Sequence, residues 1–264
     1  MEPKFYTQSG FTHKDFASVL NKYNYNLNLG DITAGTIFSE EKDGFLVDIG
    51  TKIAAYLPRD EITIYKNQLT TKEIINETRE FFILAYNKIS EQPIVSIKRL
   101  EYIRAWERIK QMEQEDITMN LMVHEINKGG ILTLIENIQS FIPNSHIANI
   151  QNKSLLINQK IECQFLLINE KLNKIILSNK RAKLKNLRHK INIGQVILGT
   201  ITKIESYGTF VKIHDMTALL HISEIKKEIK ENMKIIVQVG DKIKVKIIHI
   251  DEKQGRLSVS QKNL

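Results

Sequence analysis

The sequence of 264 residues is poor in cysteine, in proline and in long apolar runs. Its one cysteine, Cys163, can form no disulfide within the chain, and we expect a small buried hydrophobe in a strand. The four prolines and the lack of a Gly/Ser-rich stretch argue against long flexible linkers. No run approaches the ~18 apolar residues of a membrane-spanning helix. The N-terminus resembles neither a signal peptide nor a transit peptide, so we expect no membrane partner and work in the compartment of synthesis.

Motifs of catalysis and metal binding are also missing. The chain has no phosphate-cradling Gly-rich loop, no His-Glu-x-x-His and no cysteine pair, and its seven histidines show no ligand spacing. Asp43, Asp48, Asp60 and Glu61 cluster loosely, but without the pattern of a two-metal nuclease. We therefore expect no catalytic residue, no metal site, no cofactor and no enzymatic activity.

Charge is abundant and unevenly distributed. The formal net charge is +8, which favours a polyanionic partner. Residues 1–116 carry 15 basic and 18 acidic side chains, a net charge of −3. Residues 117–264 carry 23 basic and 12 acidic side chains, a net charge of +11. We expect the polyanion to bind the C-terminal part and the N-terminal part to have another task, such as docking to protein.

Period-two alternation of apolar residues marks five short strands in the last 70 residues, bounded by Gly and Asp turns. The predicted strands are 196–204, 209–213, 218–222, 243–247 and 256–260. Five short strands in a segment of this length are typical of a small closed barrel of the OB type.

The same outline occurs twice earlier in the chain, so we predict an all-β protein with helical linkers and three tandem OB-fold barrels of five strands. The predicted divisions are an N-terminal helical extension at 1–27, a first barrel at 28–99, a linker helix at 100–115, a second barrel at 116–178, a basic linker at 179–192 and a third barrel at 193–264. Apolar residues at helical spacing predict helices over 11–23, 98–114 and 179–191. A further short helix is expected over 223–231.

The third repeat resembles the RNA-binding repeat of the bacterial ribosomal S-one protein family. The resemblance rests on the segments 194–196, 207–211, 220–224, 239–241 and 255–258 and on Asp251. The linker at 101–108 is similar to the connecting helix of the ribosomal members, and segments 11–17 and 30–36 are similar to the cyanobacterial and plastid form. The resemblance implies a small-subunit ribosomal protein that recruits messenger RNA and docks through its N-terminal part.

The same resemblance implies which residues contact RNA. Aromatic side chains can stack unpaired bases, and cations can bind phosphates. The candidates in the third repeat are Tyr207, Phe210, Lys212, His221, Asp251 and Arg256. Asp251 either orients Arg256, accepts from the RNA or caps its own turn. Candidate backbone contacts are Lys174, Lys180, Arg181, Lys183, Lys185 and Arg188, although a solvated helix face explains the last five equally well.

The two earlier repeats depart from this pattern. In the first, Asp43 and Leu46 stand in place of the aromatics, Pro58 of the histidine, Asn87 of the aspartate and Gln92 of the arginine. In the second, Leu132 replaces the second aromatic and Pro143 the histidine, while Lys174 keeps a cation. We expect Tyr56 and Phe141, which precede these prolines, to lie in the barrel cores.

Two other functions remain open on the sequence alone. A free RNA-binding factor in RNA stability or turnover would carry the same repeats. A nuclease or nucleotidyltransferase subunit is disfavoured, because repeats and linkers leave no room for a catalytic domain. The heavy use of Ile, Asn and Lys is typical of an AT-rich genome, so we expect the plastid stroma, with the bacterial cytoplasm as the alternative.

Overall fold

The structure is a computed structural model that describes residues 27–63, 74–148, 153–225, 238–262 and 264. Its strands form three closed barrels of five strands, each hydrogen-bonded in the order one, two, three, five, four. The third and fifth strands of each barrel pair in parallel, and the other neighbours are antiparallel. The predicted fold of three tandem five-stranded barrels with helical linkers is confirmed.

The strands are short and follow the predicted alternation. The first barrel contains β1 (Ile32–Glu40), β2 (Gly44–Asp48), β3 (Ala55–Pro58), β4 (Thr78–Tyr86) and β5 (Pro93–Ser96). The second contains β6 (Met119–Ile126), β7 (Gly130–Ile135), β8 (Ile138–Pro143), β9 (Lys160–Asn169) and β10 (Lys174–Ser178). The third contains β11 (Val196–Glu205), β12 (Gly208–Ile213), β13 (Met216–His221), β14 (Lys242–Asp251) and β15 (Arg256–Ser260).

Each barrel has an apolar interior, because successive side chains of a strand point to opposite faces. In the third barrel Val211, Ala218 and Val245 meet inside, while Lys212, Thr217 and Lys244, which alternate with them, face outward. Cys163 is fully buried in the second barrel, as predicted. Burial raises the pKa of its thiol to about 12, so Cys163 is protonated and unreactive at neutral pH.

A serine at the end of the fifth strand closes each barrel in the same way. Ser96 donates to Glu61 (2.6 Å), Ser260 donates to Glu224 (2.7 Å), and Ser178 lies 3.0 Å from Nδ1 of His146. Each serine oxygen also accepts a backbone N–H two or three residues later. At Ser178 this bond caps the helix that follows. The serine thus connects the 3-10 turn after the third strand to the segment that leaves the barrel.

Two helices link the barrels: α1 (Ile97–Gln114) and α2 (Asn179–Leu187). The prediction of a helix to residue 191 was wrong, because the helix ends at Leu187 and Ile191 is buried in the core of the third barrel. In the part of the chain that the structure describes, no helix is long and apolar enough to cross a membrane. The helix predicted over 11–23 lies outside the described residues. The helix predicted over 223–231 begins as a 3-10 turn, and residues 226–231 lie outside the described residues.

The chain divides into two compact units inside α1, one ending at Arg104 and one beginning at Ala105. The second unit contains two barrels, which α2 joins. Leu184 of α2 is buried in the core of the third barrel, whereas Asn179 donates to the backbone of Glu162 in the second (2.8 Å). Because one short helix is bonded to both barrels, these two barrels form a single packed unit.

Candidate nucleic-acid interface

Two aromatic rings project from the third barrel at the start of β12. Tyr207 lies in the turn and is 49 % exposed, and Phe210 is half-buried on the outer face of the strand. Their ring centroids are 6.2 Å apart and the rings are perpendicular, an edge-to-face arrangement. Phe210 is paired with Leu219 of β13, and Leu219 with Ser258 of β15. A preformed aromatic surface therefore lies on the outside of this barrel.

A row of cations runs beside the aromatic pair. Lys212 follows Phe210 on the same outer face of β12 and is paired with Thr217, which the parallel register places beside Arg256. Both cations are exposed. The row also continues in the other direction, since Thr200 of β11 is paired with both Lys212 and Lys242. Sequence reasoning missed Lys242, because only strand pairing brings it into line with Arg256.

His221 lies at the other edge of the aromatic pair, paired with Gly208. Its Nδ1 accepts the backbone N–H of Ser223 (3.2 Å), so the neutral ring carries its proton on Nε2 and can donate it outward. Gly208 is required here, because a Cβ would lie 2.5 Å from the carbonyl oxygen of Leu220. The close approach of the two strands thus sets the position of the exposed histidine.

The sequence left three roles open for Asp251, and the structure shows one of them, the capping of its own turn. Asp251 is paired with Arg256 across β14 and β15, but its Oδ1 accepts the backbone N–H of Gln254 (3.0 Å) and caps the turn. The turn brings Gly255 against the backbone of Arg181 and Lys180. Arg256 consequently lies near the start of α2, where the second and third barrels meet.

Most of the candidate cations of α2 take part in contacts that hold the second unit together. Arg181 and Lys185 both bind Asp116 (2.9 and 3.0 Å), and Arg188 binds Glu252 (2.8 Å). Lys180 donates to the carbonyl of Ser145 (2.6 Å), and burial, with the charge of Arg256, lowers the pKa of Lys180. Lys183 is half-buried on the same helix, and Lys185 and Arg188 are exposed although both form ion pairs.

Each of the first two barrels has an aromatic residue on its outer face that the sequence analysis predicted to lie in the core. Tyr56 and Phe141 were expected in the cores, but both are half-buried on the outside, between inward neighbours that are fully buried. The error arose because each of these aromatics is followed by a second apolar residue, Leu57 or Ile142, and only the strand pairing shows which of the two faces inward. Lys174 is exposed at the start of β10, the place that Arg256 occupies in the third barrel.

Comparison with known proteins identifies a domain family and several relatives of this chain. Residues 190–262 match the family model of the S1 RNA binding domain. The chain is 49 % identical over 257 residues to small ribosomal subunit protein bS1c of Pyropia yezoensis, covering 97 % of both chains. It is 42 % identical to protein bS1A of Synechocystis, covering 97 % of this chain and 78 % of the relative.

Among solved structures, GSP13 from Bacillus subtilis is 32 % identical over 26 % of this chain and 55 % of its own, with a TM-score of 0.25. The near full-length similarity to the two ribosomal proteins is what establishes the relationship. The chain belongs to the bS1 family of small ribosomal subunit proteins.

Proposed function

We propose that this protein binds single-stranded messenger RNA on the small ribosomal subunit and that the outer surface of the third barrel makes the principal RNA contact. The observation that carries the proposal is the exposed pair of Tyr207 and Phe210 beside His221 and the row of Lys212 and Arg256. Unpaired bases offer π-faces to such rings, with ~1–3 kcal/mol for each stacked base and little sequence preference. The cation row is aligned to neutralise the phosphates of the same strand.

The ribosome on which it acts is of the plastid or bacterial type. The relatives named bS1c come from Pyropia yezoensis, Porphyra purpurea and Spinacia oleracea, and further relatives come from cyanobacteria. We propose the plastid stroma as the compartment. The acidic N-terminal part, with its net charge of −3, is suited to docking on basic ribosomal protein and poorly suited to binding RNA.

The RNA contact is tested by Phe210→Ala with His221→Ala in the full-length protein. Loss of a stacking ring and of an outward hydrogen-bond donor should weaken binding of a single-stranded oligouridylate at least about tenfold in filter binding. Both side chains are on the outer face, so the far-UV circular dichroism should not change. The matched control is Leu46→Ala with Pro58→Ala, the same two positions in the first barrel. Equal affinity of both double variants and the parent would refute the assignment.

Docking to the ribosome is tested with the same Phe210→Ala, His221→Ala variant in gradient sedimentation with small subunits. If docking uses the N-terminal part, the variant should still co-sediment with the subunit, and high salt should weaken that association. Loss of co-sedimentation would mean that the chain is held through RNA alone. Migration of parent and variant only in light fractions at both salt concentrations would favour a free RNA-binding factor in RNA stability or turnover.

A further inference from the structure

Every barrel has one aromatic residue at the central pair of its second and third strands, but the strand that supplies it differs. In the third barrel the second strand supplies the ring, and in the first two barrels the third strand does. The equivalent pairs are Phe210 with Leu219, Leu132 with Phe141, and Leu46 with Tyr56. Because paired residues of antiparallel strands project from the same face, the aromatic reaches the same region of each barrel from either strand.

The ring of Phe141 lies at the turn before β7. A Cβ built on Gly130 would lie 2.6 Å from the ring, and one built on Gly129 would lie 3.5 Å from it. Gly130 corresponds to Gly208 by strand pairing, so Gly129 stands where the third barrel has Tyr207. One half-buried ring in the second barrel therefore occupies the region that the Tyr207 and Phe210 pair occupies in the third.

The charge beside this ring is positive in the second barrel. Phe141 is paired in parallel with Ile176, which places Lys174 one step along the row, beside Gln139. Lys174 is exposed and forms no ion pair with another described residue. An exposed ammonium group beside a half-buried ring on the outer face is complementary to a nucleotide, which combines a base and a phosphate.

The first barrel has the ring without the cation. Tyr56 is paired with Ile94, so Gln92 takes the position of Lys174, and its amide donates to the carbonyl of Ala54 (3.0 Å). Asp48 is exposed on the outer face of β2, two residues after Leu46, where the third barrel has Lys212. A carboxylate at this position repels phosphate. The first barrel therefore serves as a comparison in which the aromatic residue is present without the cation.

We infer that the second barrel contains its own base-stacking site for single-stranded RNA, with Phe141 as the platform and Lys174 as the phosphate contact. The inference rests on the proposed function of the third barrel and extends the RNA-binding surface to its neighbour in the same unit. A strand long enough to reach both barrels should use this site, whereas a strand that fills only one barrel should not need it.

The test uses the full-length protein with labelled oligouridylates of about 6 and about 20 nucleotides, because one OB fold contacts ~4–16 nucleotides. Phe141→Leu removes the ring and keeps an apolar side chain, and we expect about fivefold weaker binding of the long strand with little change for the short one. Phe141→Leu combined with Leu132→Phe moves the ring to the strand that carries it in the third barrel. This swap should restore binding of the long strand.

The control is Tyr56→Leu, the same change beside the acidic row of the first barrel, which should leave both affinities unchanged. Thermal unfolding of each variant detects whether Phe141 merely covers Gly130. Loss of affinity in Phe141→Leu without recovery in the swap, together with a lower melting temperature, would overturn the inference. Unchanged affinity of Phe141→Leu for the long strand would also overturn the inference. In that case, weaker RNA binding by the Phe210→Ala, His221→Ala variant would still support the proposed function of the third barrel.

Discussion

The first and third barrels share strand order and pairing register, yet their outer faces carry opposite charge. Both present an aromatic and a leucine at the central pair of their second and third strands. In the next row the third barrel has Lys212 and Arg256, whereas the first has Asp48 and Gln92. We propose from this difference that the aromatic at the central pair stacks bases and that the charge of the adjacent row controls whether the phosphates of the same strand can bind.

The physical reason is the cost of bringing phosphate next to carboxylate. Stacking contributes ~1–3 kcal/mol for each base, and one unfavourable charge at the same face offsets a large part of it. The charge difference between the acidic N-terminal part and the basic C-terminal part of the sequence is thus also found at equivalent positions of the two barrels, with Asp48 in the first and Lys212 in the third.

The largest expected effect on RNA affinity comes from the double variant Lys212→Asp with Arg256→Gln. These substitutions introduce into the third barrel the residues that the first barrel has at the same positions. Two phosphate contacts are lost and one repulsive charge is added, so RNA affinity should fall about 10- to 100-fold at low salt. Filter binding between about 50 and 200 mM salt should also show a slope of log K against log salt that is smaller by about 1.4. A loss of affinity with an unchanged slope would argue that these side chains do not contact phosphate.

A second prediction concerns the residue that directly precedes Arg256 and its equivalents in the other two barrels. This residue has a positive φ in all three barrels. The first and second have Glu91 (φ 54°) and Asn173 (φ 46°), and the third has Gly255 (φ 64°). A Cβ on Gly255 would lie 2.6 Å from the backbone nitrogen of Arg181. Gly255→Asn should therefore reduce the free energy of unfolding by about 2 kcal/mol, since the clash involves backbone and not a mobile side chain.

Chemical denaturation measures this effect, and Asn173→Gly is the matched control. Asn173→Gly should change stability by less than about 1 kcal/mol, because asparagine already tolerates the left-handed region. Equal effects at the two positions would show that packing of the third barrel against α2 is not what requires glycine.

The reverse exchange should have a smaller effect. The double variant Asp48→Lys with Gln92→Arg introduces beside Tyr56 the two cations that the third barrel has at these positions. Affinity for a long single strand should rise about two- to fivefold, a modest gain because Asp43 stands where the third barrel has its exposed turn tyrosine. Fluorescence anisotropy with the long oligouridylate measures the gain. No gain would show that the row alone does not distinguish the two barrels.

The smallest effect is on pH dependence and separates the second barrel from the other two. Its serine contacts His146 in place of a glutamate, and burial, with the charges of Lys180 and Arg256, lowers the pKa of His146 from 6.5. The unfolded chain then binds the proton more readily, so stability is fully present above pH 6.5 and is lost as pH falls toward the folded pKa. Thermal unfolding should show a fall in melting temperature between pH 7.5 and 5.5.

The variant His146→Gln cannot titrate and should lack this fall. Glu224 of the third barrel gives a second window. Hydrogen bonds from Ser260 and Lys262 lower its pKa from 4.5, so its contribution is present above pH 4.5 and is lost as pH falls through the folded pKa. A fall above pH 5.5 that persists in His146→Gln would assign the titration to another group.

Much of the candidate site could be predicted before the structure, and the errors have a common cause. Tyr207, Phe210 and His221 stand within 15 residues of one another, so the order of strands and turns places them together. The partners of the α2 cations could not be read in this way, because Asp116 is 65 residues from Arg181 along the chain. Ion pairs over such separations depend on which barrels pack together.

The number of barrels, most of their inward residues and the sign of charge in each half of the chain follow from the sequence alone. Alternation and turn residues are local, and local patterns decide which face of a strand is apolar. Only the tertiary structure decided which cations face solvent and which join two barrels. It also decided that Tyr56 and Phe141 project outward, because the register between strands and the closing of each barrel set where the outward side chains meet.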